Sequence, residues 1–324
     1  MKDSLIKNFL VNLRALFTVN IRRRLNEDSA KITQLESTSD SLEQTITERF
    51  HYLNILDYYA RHEAESQTYQ KELDYLRLRG TYCNFPYTPD TTPLHVVSGF
   101  DQDVKLPFVI HKNKKLFFKA TLTPTEALNS YKNYIQTERL LGVEDIKNTP
   151  HQYQSPRVHV TEGDVVFDIG AAEGLFALDQ IEKASHIVIV ESDIEWIAPL
   201  THTFAPYGDK VTIIQKFVSA TDTETTISLR KLLSLNDYSS AFVKMDIEGY
   251  ELTSVAAAAD ILKQREGIKL SITSYHKQHD AEKLKSFFEG LNYNFEFSRG
   301  YMLFHLYDTL LPPYFRHGLI RAFK

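Results

Sequence analysis

Val165-Val-Phe-Asp-Ile-Gly-Ala-Ala-Glu-Gly174 is the stretch whose reading decides the fold of this 324-residue chain. Its apolar start reads as a buried strand ending at Ile169, and the two glycines read as a turn that opens a helix near Gly174. Gly170 permits a sharp turn and a close backbone approach by a ligand. Free amides at the helix start can hold a carboxylate. In sheets of this kind, ligands bind outside the carboxyl ends of the strands, where the strand order switches direction.

Working outward, strand candidates lie at 164–169, 187–191, 211–216, 241–246 and 268–273, joined by segments long enough for helices. Short apolar runs alternating with helices imply a mostly parallel sheet covered on both faces. Two further candidates, 293–297 and 301–306, are separated only by Ser298-Arg-Gly300, which reads as an antiparallel hairpin. The expected class is α/β: a Rossmann-like, doubly wound sheet of the class I methyltransferase kind, with a C-terminal antiparallel hairpin.

Upstream, residues 1–80 read as a helical N-terminal region. The first glycine is Gly80, and Ile32, Leu35, Leu42, Ile46, Phe50 and Leu53 recur at helical spacing. Residues 81–146 read as a turn-rich linker, a hairpin around Lys112-Asn-Lys-Lys115 and a helix to about 141. Thr123-Pro-Thr-Glu126 is a capping box that opens this helix. Residues 147–324 read as the cofactor-binding domain.

Within that domain Asp168 is expected to accept from an ammonium group, with Gly170, Ala171, Glu173 and Gly174 around the same turn. Glu191 ends the second strand one strand–helix–strand step later, where an acid can accept both ribose hydroxyls. Ser192 follows it, and Val218 and Ser219, with Phe217, lie where an adenine ring is expected. The dinucleotide fingerprint has glycine where this chain has Asp168, so S-adenosyl-L-methionine is favoured over a nicotinamide.

The fourth strand runs into Lys244-Met-Asp-Ile-Glu-Gly-Tyr-Glu251. This block, following Asp168-Ile-Gly-Ala-Ala-Glu-Gly174, resembles the FkbM-type methyltransferases over roughly 147–306, together with Thr149-Pro-His-Gln-Tyr153 and Ser274-Tyr-His-Lys277. The resemblance implies O-methylation of a sugar or other hydroxylated metabolite. It does not reach residues 1–80.

Methyl transfer from a sulfonium needs alignment, and a hydroxyl acceptor also needs a base. Candidates at the ends of strands four and five are Asp246, Glu248 and Glu251, then Tyr275, His276 and Lys277. His276 is the preferred base because imidazole titrates near neutrality. Asp246 is assigned to both cofactor and catalysis. Asp246 and Glu248 are also able to bind a divalent metal, but capping of the following helix is the reading adopted, with no resident metal expected. His151 and Tyr153 either close over the cofactor or pack.

The net charge of −5 argues against a nucleic-acid partner. The expected partner is a small-molecule or glycan acceptor. No apolar run is long enough to span a membrane. The segment 8–17 reads as an amphipathic helix that packs on the protein or rests on a membrane surface, rather than as a signal peptide. The N-terminal helices could also join copies of the chain. A single cysteine, Cys83, forms no internal disulfide and fits a reducing, cytoplasmic setting. Two other functions are open: N-methylation of an amine, and a scaffold that keeps the fold without turnover.

Overall fold

The computed structural model describes residues 41–141, 149–235, 237–304 and 310–324. The expected helix at 8–17, Ile32 and Leu35 lie outside the described residues, as do positions 305 and 306 of the expected strand 301–306. The chain divides into Met1–Asp57 with Gly80–Tyr82, and Tyr58–Arg79 with Cys83–Lys324. Helix α1 covers 41–61. In the first unit its Leu42, Ile46, Phe50 and Leu53 are all exposed.

The second unit continues with α2 (Glu63–Thr68) and α3 (Gln70–Arg79). A three-stranded antiparallel sheet follows: β1 (Ser98–Asp101), β2 (Leu106–His111) and β3 (Lys114–Phe117). The hairpin appears where expected, but the stretch read as linker also contributes a strand, β1. Helix α4 (Pro124–Lys132) starts on the expected capping box, with Thr123 accepting from Glu126 and Glu126 accepting in return. It continues as a π-helical turn, Asn133–Glu138, closed by Arg139 in the left-handed region at φ 54°.

The main sheet is formed by β4 (Val165–Ile169), β5 (His186–Glu191), β6 (Val211–Gln215), β9 (Ala241–Met245), β10 (Ile268–Thr273), β11 (Asn294–Phe297) and β14 (Leu319–Phe323). A parallel pair of short strands, β7 (Phe217–Ser219) and β8 (Thr226–Ser228), stands beside it. The strand order is β11-β14-β10-β9-β4-β5-β6. β14 runs antiparallel to both its neighbours, and the β10-β9-β4-β5-β6 pairs are parallel. This is the class I methyltransferase arrangement.

One part of the expected topology is corrected. The antiparallel partner of β11 is β14, not the run beginning at Tyr301. Tyr301–Met302, β12, pairs instead with Arg316–His317, β13, in a separate ribbon. A short link suggests a local hairpin, but register follows burial. The 319–323 run buries four of its five residues, so it takes the central position.

Helices cover both faces of the sheet. Strand alternation sends Phe167, Ile169, Val243 and Met245 into one core, under α7 (Leu229–Leu232), α8 (Glu251–Ala257), α9 (Ala259–Gln264) and α10 (Asp280–Gly290). Val166 and Phe242 enter the other core, with α5 (Leu175–Gln180), α6 (Ile194–Phe204) and α4.

Asp168 and Lys244 share that second face. They are register partners on β4 and β9, and the Lys244 ammonium lies 3.1 Å from Asp168 Oδ1. Asp168 is fully buried, and its Oδ2 accepts from the Ala177 amide of α5 at 3.1 Å. The ammonium also donates to the Gly170 carbonyl. Breaking a buried pair strands a charge, whereas removing both partners does not. Lys244→Met should therefore cost about 3–5 kcal/mol in urea unfolding, and Asp168→Leu/Lys244→Met should recover part of that loss. A single variant as stable as wild type would contradict this account of the sheet centre.

Candidate active site

A cavity of about 730 Å³ opens at the carboxyl ends of the parallel strands. It sits where β4 and β9 lie side by side and the chain order reverses direction, the expected ligand position in a doubly wound sheet. The residues Gly170, Glu191, Ser192, Val218, Ser219, Asp246, Glu248 and His276 all line it.

The turn after β4 shows why glycine is needed there. Gly170 has φ 69°, and an added Cβ would fall 1.8 Å from the Asp246 carbonyl oxygen. The ends of β4 and β9 therefore touch through bare backbone. Gly174, at φ 81°, caps α5, and a Cβ there would meet Leu200 at 2.7 Å.

Four expected cofactor residues lie behind this wall instead of on it. Asp168 is committed to Lys244 and α5. Ala171 is buried in the core beside Leu175, and its neighbour Ala172, at φ 48°, lines the cavity in its place. Gly174 faces Leu200 and Phe204. Glu173 is buried and bonded to the Tyr134 hydroxyl. All four shape the turn from beneath. Glu191 does reach the cavity. Its Oε2 accepts from the Ala172 amide and its Oε1 from the Asp193 amide, both at 2.8 Å, which fixes the carboxylate and leaves lone pairs for hydroxyl donors.

At the opposite end, Asp246 sits between two imidazoles. His151 Nε2 and His276 Nε2 each approach it at 3.4 Å, and the Tyr153 hydroxyl donates to it at 2.9 Å. Each imidazole is backed by a second acid: His151 Nδ1 lies 3.0 Å from Glu138 and His276 Nδ1 lies 3.0 Å from Glu251. The result is an alternating chain, Glu138–His151–Asp246–His276–Glu251. Burial opposes the imidazolium charge, but Asp246 and Glu138 overcome it and push His151 up to about 9. Burial likewise opposes charge on His276, and Glu251 with Asp246 still raises it. Burial favours protonation of Asp246, yet the two histidines hold it well below the usual carboxylate range. Tyr153 and Tyr275, raised by burial and then by Asp246, remain phenols.

Distant elements hold this cluster in place. The Pro150–Gln154 stretch is fastened to the sheet by Ser298 on the Pro150 carbonyl, Ser271 on the Tyr153 carbonyl, and fully buried Arg321 on the Gln152 and Tyr153 carbonyls. Those anchors present His151 and Tyr153 to Asp246. The π turn delivers Glu138. The expected helix-capping role of Asp246 and Glu248 is not found: α8 has no side-chain cap, and Glu251 takes the Ile247 amide at 2.9 Å. Glu248, at φ 60°, stands at the rim 3.6 Å from His276.

Sequence reading missed Glu138, Trp196, Lys216 and Phe304, which also line the cavity. Glu138 lies outside the strand–helix repeat and is recruited only because the helix end is π-wound. No local signal marks it.

No family model matches the chain, and no curated protein matches it. Among solved structures, precorrin-6y C5,15-methyltransferase from Geobacter metallireducens is 15% identical, with 52% of this chain and 84% of that chain covered at a TM-score of 0.37. An S-adenosylmethionine-dependent O-methyltransferase from Thermotoga maritima is 12% identical over 52% of this chain and 62% of that chain, at 0.34. Trm5b from Pyrococcus abyssi is 12% identical over 70% and 61%, at 0.35. The fold assignment rests on the strand order itself.

Burial pushes Glu173 up to about 8, only partly offset by a backbone hydrogen bond and by Lys244. The folded state therefore holds a proton that the unfolded chain releases near 4.5, so stability falls as pH rises from about 4.5 to 8. Glu173→Gln copies the neutral form. Its melting temperature should exceed that of wild type by an amount growing over this window, worth roughly 4 kcal/mol at pH 8. Parallel curves across the window would contradict the burial account.

Proposed function

We propose that the chain is an S-adenosylmethionine-dependent methyltransferase, of the FkbM type that its sequence resembles, acting on a hydroxyl of a sugar, glycan or related metabolite. The carrying observation is one cavity joining two chemistries: a glycine turn with a fixed acid, Glu191, at one end, and the imidazole–carboxylate chain around Asp246 at the other. In this reading Glu191 would hold the ribose hydroxyls, Phe217, Val218 and Ser219 would hold the adenine, and the turn at Gly170 would hold the methionine part.

When bound, the cofactor would supply an electrophilic methyl group and leave as the neutral thioether, and an imidazole beside Asp246 would take the proton of the acceptor hydroxyl. The neighbouring carboxylates hold both imidazoles toward their charged form. A bound sulfonium would be a like charge and would lower their proton affinity, which favours the base form. Aromatic side chains near this end, Tyr250, Tyr275 and Phe304, offer apolar faces to a sugar ring.

Calorimetry with S-adenosylmethionine tests the cofactor assignment. Glu191→Ala should weaken binding by roughly 1–3 kcal/mol, and unchanged affinity would refute the placement. Mass-spectrometric screening of extracted glycans for added methyl groups tests the acceptor class. On any acceptor so found, His151→Gln and His276→Gln should bind cofactor normally. At least one of them should lose about 10²–10⁴-fold in turnover. Full turnover in both would remove the imidazoles from the mechanism.

A further inference from the structure

We infer that Asp246, Glu251 and His276 form a binding site for one divalent transition-metal ion at the acceptor end of the cavity. The inference rests on the proposed reading only for what the ion would do, not for where it binds. Each of the three side chains offers a donor atom within 4.8 Å of the other two. Ligand bonds of about 2.0–2.2 Å set donors roughly 3.0–3.5 Å apart around one ion. His276 Nδ1 and Glu251 Oε1 already stand at 3.0 Å, while Asp246 faces Nε2 of the same ring at 3.4 Å, so closing on one ion needs Asp246 to swing toward Nδ1 and Glu251.

Two further observations point the same way. Glu251 is 1% exposed. Its Oε1 takes the Ile247 amide, the Thr273 hydroxyl and His276, while its Oε2 is equally buried and has no hydrogen-bond partner among the described residues. An unpartnered carboxylate oxygen in such a place is costly unless a cation meets it. The charge count is also unbalanced. Among the described residues Glu138, Asp246 and Glu251 form ion pairs with His151 and His276, so three carboxylates stand against two imidazoles, and Glu248 adds a fourth at the rim. Lys244 also acts on Asp246, but its charge is matched by Asp168, so the pair leaves the excess unchanged. A dication supplies the missing positive charge before any cofactor enters.

One imidazole and two carboxylates suit Zn²⁺ or Mn²⁺ better than Mg²⁺. Binding displaces the proton between His276 and Glu251. His276 is then a ligand, and His151 remains the imidazole facing the acceptor. A hydroxyl oxygen entering beside Asp246 would complete the coordination, and a coordinated hydroxyl is more acidic.

Titration of the full chain with Zn²⁺ and with Mn²⁺, in chelator-treated buffer without cofactor, tests the site. We expect one ion bound per chain, with His276→Ala and Glu251→Gln each weakening it at least tenfold. Mn²⁺-loaded wild type should show imidazole nitrogen coupling in pulsed electron paramagnetic resonance, a readout that does not depend on the variants folding. No stoichiometric binding of either ion to wild type overturns the inference, as does binding that both folded variants retain. S-adenosylmethionine calorimetry on the same metal-free samples reports separately on the proposed function, so failure of one is not failure of the other.

Discussion

A single buried ammonium organises the centre of this protein. Lys244 reaches from β9 across to β4, where it meets the Asp168 carboxylate and the Gly170 carbonyl. The same carboxylate holds the Ala177 amide in α5. Two strands, the glycine turn and the helix behind it are thus locked by charge where the sheet changes direction. The pair is costly to bury, and apolar residues of similar volume would pack there at least as well. Its value lies in register. A one-residue slip of β9 would part the charges and move Asp246 away from the turn.

From that fixed point the cavity is built by close backbone contact on one side and by long-range anchoring on the other. The Glu191 end is local: its wall comes from the loops after β4, β5 and β6, each one step along the strand–helix repeat. The Asp246 end is assembled from four separate stretches, around 138, 151–153, 246–251 and 275–276. Carboxylates and imidazoles alternate through it, so every imidazole has an acid on either side. Such groups titrate as a unit rather than as separate residues. A positive charge arriving anywhere along the chain is felt by all of it.

The sequence made the sheet legible because its signals are periodic. Five apolar runs spaced by helix-length segments leave little choice, and 268–273 coincides with β10 to the residue. Thr123-Pro-Thr-Glu126 specified its helix start through a local hydrogen-bond pattern. The last strand was not legible, because pairing between β11 and β14 is a long-range choice that local spacing cannot reveal. Among site residues, Gly170 and Glu191 were readable from their place at strand ends. Asp168 and Glu173 were not, because which side of a turn a carboxylate faces depends on a partner elsewhere in the chain: Lys244 in one case, Tyr134 in the other. Glu138 was invisible for the same reason. It matters only because a π turn rotates it toward His151.

The fastening of Pro150–Gln154 by Arg321 has a kinetic side. The guanidinium and the two carbonyls it holds are 168 and 169 residues apart in sequence, and closing so long a loop is slow compared with docking neighbouring strands and helices. The glycine turn and its surrounding strands can therefore settle while the stretch bearing His151 and Tyr153 is still loose. Cofactor binding at that stage would draw the chain toward the native state by mass action, so the small molecule would act first as a folding aid and only later as a reagent.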